Sequence, residues 1–417
     1  MSRTAVIGYW PRLRRVAVSY VAAVAILLGG PCRAWALWDD QLELFAHQSL
    51  TSDDNIFRVP GGSTTDDRSD PADTYRTTTA GIRLDVERSA QRFFAELALR
   101  EQRFDRLTAL DNDARSVAVT WVGELAERFA GQFAYRDDEL LASFENLQSG
   151  VQDSNGNILQ HESVGLQADF DISPTWKLRG GLLRENFENS ALRFQASDAR
   201  ISGASIAAIY ASTEENEIGV EFARRTGDLP KLQRVGTALI DNSYSQDSVI
   251  GMLGWRPSGR SRLAIRAGRV ARKFDQFPGR NFADWVLGAQ YEWQAASTLT
   301  LALRARHELS TTEQINVGFV VVESLTLQPV WAVTDKLSVS ASIERGTRHY
   351  HGDLGFGPAT AAPAVVEDVR STTLSMTYQP LRQVSVVLNL YKTSRDFSLG
   401  GVGYGANIAS LEFRVSL

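Results

Sequence analysis

The chain has 417 residues, 44 of them basic and 49 acidic, for a net charge of −5. An acidic chain is a poor partner for nucleic acid, and a single cysteine, Cys32, leaves no disulfide framework or thiolate metal site. Length alone suggests two or three soluble domains, yet proline, glycine and serine recur in short bursts along the whole chain and no linker divides it.

At the N-terminus, Arg3, Arg12, Arg14 and Arg15 precede an acid-free apolar run from Val16 to Leu28, followed by Ala34-Trp35-Ala36. A basic head, a short apolar segment and small residues at the −3 and −1 positions read as a secretory signal peptide over 1–36. The run is too short for a membrane anchor, which needs about 20 apolar residues. Cleavage after Ala36 removes Cys32 and five arginines, so the remaining chain, 37–417, carries 39 basic and 49 acidic residues and a net charge of −10. No later run is long enough for a membrane helix.

From there the chain repeats one unit: a strand, a short turn and a second strand, with apolar and polar residues alternating. The clearest copy is Trp285-x-Leu287-x-Ala289-x-Tyr291-x-Trp293, a turn at 294–298, then Leu299-x-Leu301-x-Leu303-x-Ala305. Period two marks strands, because successive side chains point to opposite faces of a sheet. Seven further turns are expected near 87–91, 123–128, 171–175, 211–217, 256–262, 332–336 and 379–383. An aromatic residue immediately precedes most of them: Trp121, Phe170, Tyr210, Trp255, Trp293, Trp331 and Tyr378. Rings at one height around a sheet suit a membrane interface, where an amphipathic ring meets both lipid and water.

The other connections, such as 51–78, 137–161, 226–246 and 347–370, are long and polar. Short turns on one side and long loops on the other are the asymmetry of outer-membrane barrels, short ends in the periplasm and long ends outside. Eight hairpins, a first strand around 42–48 and a last one at 409–417 predict an all-β fold: a closed antiparallel transmembrane barrel of about eighteen strands, with no edge left unpaired in lipid. In the last strand Ala409, Leu411, Phe413, Val415 and Leu417 form one apolar face. Barrel-assembly machinery, the expected partner along with outer-membrane lipid and lipopolysaccharide, reads such a strand, usually with a terminal aromatic where Leu417 stands.

If apolar positions face lipid, the intervening ones face inward: Arg83, Asp85, Glu96, Arg100, Arg136, Arg179, Glu221, Arg266, Glu292, Arg304, Arg306, Glu344, Glu412 and Arg414. These are the candidate lumen-lining residues of a wide polar pore. As a ladder, the guanidinium forks suit a solute bearing hydroxyls or carboxylates. Paired with acids on neighbouring strands they make only a solvated wall, the more ordinary sheet chemistry.

Catalytic signatures are absent: there is no G-x-S-x-G elbow, and His47, His161, His307, His349 and His351 are scattered. No enzyme activity, cofactor or metal is expected, and His349 and His351 read as members of a solvated loop. The acidic stretches Ser52-Asp53-Asp54-Asn55 and Asp111-Asn112-Asp113 could offer oxygens to Ca²⁺ but lack the spacing of a calcium loop and read as turns. Gly400, Gly401, Gly403 and Gly405 read as a flexible external loop.

At Ser52-Asp53-Asp54-Asn55-Ile56-Phe57-Arg58 the chain resembles the putative beta-barrel porin 2 group of outer-membrane proteins, and within it the EpsL-like proteins of exosortase-linked exopolysaccharide operons. The resemblance extends to the signal peptide, the hairpin repeat and the terminal apolar strand. It implies a channel through which exopolysaccharide crosses the outer membrane with periplasmic polysaccharide export proteins. The residues themselves imply only a wide polar pore, so a general diffusion porin for small solutes and a non-conducting surface scaffold or adhesin stand beside that reading.

Overall fold

The computed structural model describes residues 41–60, 70–146, 156–213, 216–235, 238–276, 278, 281–310, 319–351, 365–398 and 403–417. The expected signal peptide, with Gly400 and Gly401, lies outside them. The first half of the chain forms β1 (Leu42–Asp53), β2 (Asp73–Arg88), β3 (Gln91–Phe104), β4 (Asn112–Ala126), β5 (Phe129–Leu141), β6 (Ile158–Asp171), β7 (Trp176–Asn189), β8 (Ala199–Thr213) and β9 (Asn216–Asp228). A small hairpin, β10 (Gln233–Val235) and β11 (Ala238–Ile240), stands apart in one long connection. The second half adds β12 (Tyr244–Ser258), β13 (Ser261–Phe274), β14 (Phe282–Ala296), β15 (Leu299–Ser310), β16 (Phe319–Thr334), β17 (Leu337–His351), β18 (Val365–Leu381), β19 (Val384–Phe397) and β20 (Tyr404–Ser416).

Apart from the small hairpin, these strands form one 18-stranded antiparallel sheet, each paired with its neighbour in sequence. It closes where β1 meets β20, in register from Phe45↔Ser416 to Asp53↔Ile408. The final residue takes part, since Leu44 N donates to Leu417 O at 3.0 Å and Leu417 N to Leu44 O at 2.8 Å. Leu417 therefore completes the seam through its backbone, which needs no aromatic side chain. No helix among the described residues is long and apolar enough to cross a membrane.

Most of the exposed large apolar side chains fall on one register of their strands, including Leu44, Ile82, Leu97, Leu182, Phe222, Leu303, Leu374 and Leu411. The opposite register is more crowded, as the concave side of a closed cylinder must be, and holds Phe45, Ala98, Ala207 and Val387. The apolar register is therefore the outer face and the polar one the lumen. Trp255, Trp293, Trp331 and Tyr378 lie on the outer face, each 44–50 % exposed, near the short turns as the sequence suggests. Just past several of these rings the ladder slips by one residue, at 255/258, 294/296, 332/334 and 378/381. Such bulges sharpen the twist and are common at barrel rims.

The strands run further outward than the alternation indicates. β1 continues to Asp53 instead of ending near residue 48, and β20 begins at Tyr404 rather than 409, which places Gly405 in a strand instead of a loop. His349 and His351, expected in a loop, likewise fall at the end of β17. Beyond the hydrocarbon both faces of a strand meet water, so the apolar-polar contrast that reveals period two disappears while the backbone ladder continues.

The register makes Leu287 and Leu301 outward and Arg304 inward. Placing arginine at mid-depth on the lipid face costs about 2–4 kcal/mol. Leu301→Arg or Leu287→Arg should therefore deplete the folded, heat-modifiable band on a cold gel, whereas Arg304→Ala should leave it unchanged. Equal bands for both kinds of variant would mean the faces are assigned the wrong way round.

Candidate functional site

All the inward candidates read from the sequence fall on the lumen register, and most are paired. Arg83 bridges Glu43 at 2.9 Å and Glu96 at 2.8 Å. Arg92 is bidentate to Asp85, and Arg179 to Asp169 at 2.8 Å through both oxygens. Arg414 holds Glu412 at 2.8 and 2.9 Å, and Arg136 pairs with Asp138. Cross-strand and same-strand pairing thus accounts for most of the wall, and these pairs are spread around the barrel rather than gathered.

One arc differs. Gly288 on β14 sits directly between Arg266 on β13 and Arg306 on β15. A side chain at Gly288 would meet nothing within 4 Å, so the glycine leaves an opening flanked by two guanidiniums. One inward step away, Arg304 stands opposite Gln290 and has no hydrogen-bond or ionic partner among the described residues. Arg266 leans away to Glu221 at 2.8 Å, and Arg306 to Glu344 at 3.1 Å and Ser324 at 3.2 Å. Glu292, two residues beyond Gln290, accepts from its amide. The structure therefore gathers Arg266, Arg304, Arg306, Glu221, Glu292 and Glu344 on the wall from β9 to β17, while Arg100, Arg136, Arg179 and Glu96 line the other half and Glu412 and Arg414 the seam.

The mouth on the long-loop side holds a second assembly. The Ser52–Arg58 segment is a knot at the seam. Asn55 donates through Nδ2 to Val59 O at 2.7 Å and to Gly405 O at 2.9 Å, and accepts from Val59 N at 2.9 Å. Asp54 binds the backbone and side chain of Asn407. Arg58, at φ 54° in the left-handed region that costs a non-glycine residue, is held there by Asp53, both of whose oxygens lie 2.9 Å from Nη1. Ile56 packs with Phe104 and Leu110, and Phe57, Tyr75, Leu107 and Phe144 close around them. The ring of Phe57 meets that of Phe144 edge-on at 5.1 Å. Both acidic stretches are consumed in this way, since Asp111 Oδ1 accepts from Phe104 N at 2.8 Å and Arg103 takes Asp113 at 2.6 Å. Among the described residues no acidic or histidine cluster could hold a metal ion.

Phe144 and Glu145 belong to the connection after β5, and Glu145 reaches a strand on another part of the mouth. Arg395 on β19 donates to Glu145 O at 2.7 Å and Glu145 Oε2 at 3.1 Å, and to Glu367 at 3.2 Å. Five strands separate β5 from β19 by way of the seam, about 29 Å of wall at the usual spacing, so the contact is a chord over the lumen. Arg395 is 3 % and Glu367 1 % exposed. Tyr350 donates to Glu367 at 2.6 Å, Arg348 lies 3.9 Å from it, and Arg58 lies 3.9 Å from Glu145. Three guanidiniums (Arg58, Arg348, Arg395) thus face three carboxylates (Asp53, Glu145, Glu367). Apart from Asp53 and Arg58, which stand in the segment carrying the resemblance, none of these residues was marked by any sequence pattern. They sit at strand ends and in a loop, where alternation gives no signal.

A family described as putative beta-barrel porin 2 matches residues 264–417. Among solved structures the chain is similar to a BenF-like porin from Pseudomonas fluorescens Pf-5, at 11 % identity and TM-score 0.50 over 90 % of this chain and 98 % of that one. It is similar to the outer membrane protein opdK from Pseudomonas aeruginosa, at 11 % identity and TM-score 0.50 over 91 % and 99 %. OccK2 (OpdF) from the same organism gives 12 % identity and TM-score 0.50 over 90 % and 97 %. At these identities the likeness is one of fold. No curated protein matches the chain. The matched family and the BenF-like protein are porins, not enzymes, and polysaccharide export is named in none of these descriptions.

Removing one partner of a buried ion pair strands the other charge, at about 3–5 kcal/mol. Arg395→Ala should lower unfolding stability in urea by that amount, and Arg395→Ala combined with Glu367→Ala should recover part of it. A double variant as unstable as the sum of its single changes would show that the two residues do not act as a pair.

Proposed function

Taking a porin-like outer-membrane barrel as the premise, we propose that the chain is a passive channel for small hydrophilic solutes, with a mouth narrowed by its own third long connection. The observation that carries this reading is the chord from Glu145 to Arg395. A constriction pinned by buried ion pairs and an apolar cluster is a fixed filter, because opening it would expose several desolvated charges at once. Such a filter suits solutes that diffuse through one at a time.

Below the mouth, Arg266, Arg304 and Arg306 around Gly288 give the wall a place where hydroxyls or a carboxylate can be held briefly. Arg304 is free to turn toward a solute, while Glu221 and Glu344 keep its two neighbours from binding too tightly. Weak, successive contacts let a solute both enter and leave. Delivery to the membrane follows from the proposed signal peptide over 1–36, cleaved on export.

Export of exopolysaccharide is the second reading. Its support is the resemblance at Ser52–Arg58, a segment whose side chains fasten the seam and the mouth. A threading polymer would require the Glu145 chord to detach, whereas a diffusion channel works with it in place.

Purified protein in planar bilayers should give steady open conductance, and proteoliposomes should swell in small sugars with a sharp upper mass limit. Replacing Arg266, Arg304 and Arg306 together with alanine should lower the permeability ratio of anions to cations several-fold, since three positive charges leave the wall of the path. A channel silent at rest, in a strain whose surface polysaccharide disappears when the gene is deleted, would favour export instead.

A further inference from the structure

On the outer face the apolar register of β14 to β18 ends toward the long-loop side in polar or interfacial residues. Leu287 gives way to Trp285, Ala305 to His307, Leu325 to Glu323, Ile343 to Arg345, and Leu374 to Thr372 and Arg370. The ring of Trp285 lies flat on His307, with centroids 3.7 Å apart and planes 2° apart. His307 Nδ1 meets Glu323 Oε1 at 2.9 Å. Between this platform and β18 runs an open groove of about 480 Å³, with Leu287, Ala305 and Leu325 toward the hydrocarbon and Arg345 and Asp368 at its outer end.

Arg345 and Arg370 are direct cross-strand partners on this face. Like charges placed opposite each other destabilise a sheet, and neither guanidinium pairs with a carboxylate among the described residues. Another arc opposes two guanidiniums in the same way, Arg76 on β2 and Arg103 on β3, but acids are built in beside them. There Arg103 is neutralised by Glu101 at 2.8 Å and Asp113 at 2.6 Å, and Arg115 by Asp137 at 3.1 Å and Glu139 at 3.2 Å. At Arg345 and Arg370, by contrast, both forks of a directly opposed pair stand without a counter-charge among the described residues.

We propose that this groove binds the phosphorylated headgroup of an outer-leaflet lipid. A phosphate bridging Arg345 and Arg370 would accept from both forks, relieve their repulsion and set an acyl chain along the apolar floor beneath it. Trp285 would sit at headgroup depth, where indoles settle at membrane interfaces. The charge complementarity favours a phosphorylated lipid over a second copy of the chain, because a self-contact through this arc would bring further guanidiniums together. The site rests on the outer-membrane placement but not on what passes through the pore.

The test is native mass spectrometry of the full chain, refolded in detergent and mixed with bis-phosphorylated lipid A or with the same lipid after enzymatic dephosphorylation. The wild type should retain the phosphorylated lipid as a discrete adduct and lose most of it when the phosphates are removed. Arg345→Ser with Arg370→Ser should reduce occupancy about thirty-fold, the product expected from losing two basic contacts near a membrane surface. Arg103→Ser, on the neutralised arc, should change nothing. Millimolar inorganic phosphate should fail to displace the adduct, and displacement would identify a free-phosphate site instead of a lipid site. Equal retention of the two lipids by wild type, or dimers in place of adducts, would overturn the proposal even if the double variant did not fold. Heat-modifiability of each preparation reports barrel formation separately, and a folded barrel without phosphate preference would leave the channel reading intact.

Discussion

In hydrocarbon a backbone amide has no water to fall back on, and each unpaired N–H or C=O costs several kcal/mol. Everything else in this molecule follows from meeting that condition with strands. Eighteen of them pair in chain order, and the sheet has no edge because β1 and β20 zip together down to the terminal residue. Closure then divides the side chains into two populations, one turned to lipid and one to the lumen, with no interior of the kind a soluble domain packs. The buried apolar cluster among the described residues is correspondingly small and sits at the mouth, around Ile56, Phe104 and Leu110.

That division explains how the charges are arranged. Acidic and basic groups excluded from the lipid face collect on the lumen face, where neighbouring strands set them a few ångströms apart, and pairs such as Arg179–Asp169 and Arg83–Glu96 result. Departures from pairing are therefore the informative places. Inside, the opening at Gly288 keeps Arg304 without a partner among the described residues. Outside, Arg345 and Arg370 face each other, neither in an ion pair among the described residues. At the mouth, burial makes pairing compulsory, and the three carboxylates and three guanidiniums around Glu145 bind a loop to a wall six strands away.

The seam segment shows how a motif and its role can come apart. Ser52–Arg58 stands out in the sequence as Asp, Asn and Arg flanking an apolar pair, a composition that suits a turn, a cation site or a recognition element equally. In the structure these polar side chains fasten backbone to backbone. Asn55 ties the segment to Gly405, Asp54 ties it to Asn407, and Asp53 holds Arg58 in a left-handed conformation. The partners of Asn55 and Asp54 could not be named from the sequence, because they lie some 350 residues away and meet the segment only once the barrel closes.

The sequence by itself determined the strand count, the hairpin order, the two faces and the side with short turns. Each depends on period-two alternation or on turn residues adjacent in the chain, and local patterns survive any tertiary arrangement. It also determined the inward register of Arg266, Arg304 and Arg306. Only the tertiary structure decided which of these stand together, where the strands end and which loop crosses the mouth. Those outcomes are set by ring closure and strand stagger, which bring Glu145 to Arg395 and Arg345 to Arg370 through backbone register, and no single stretch of sequence encodes that register on its own.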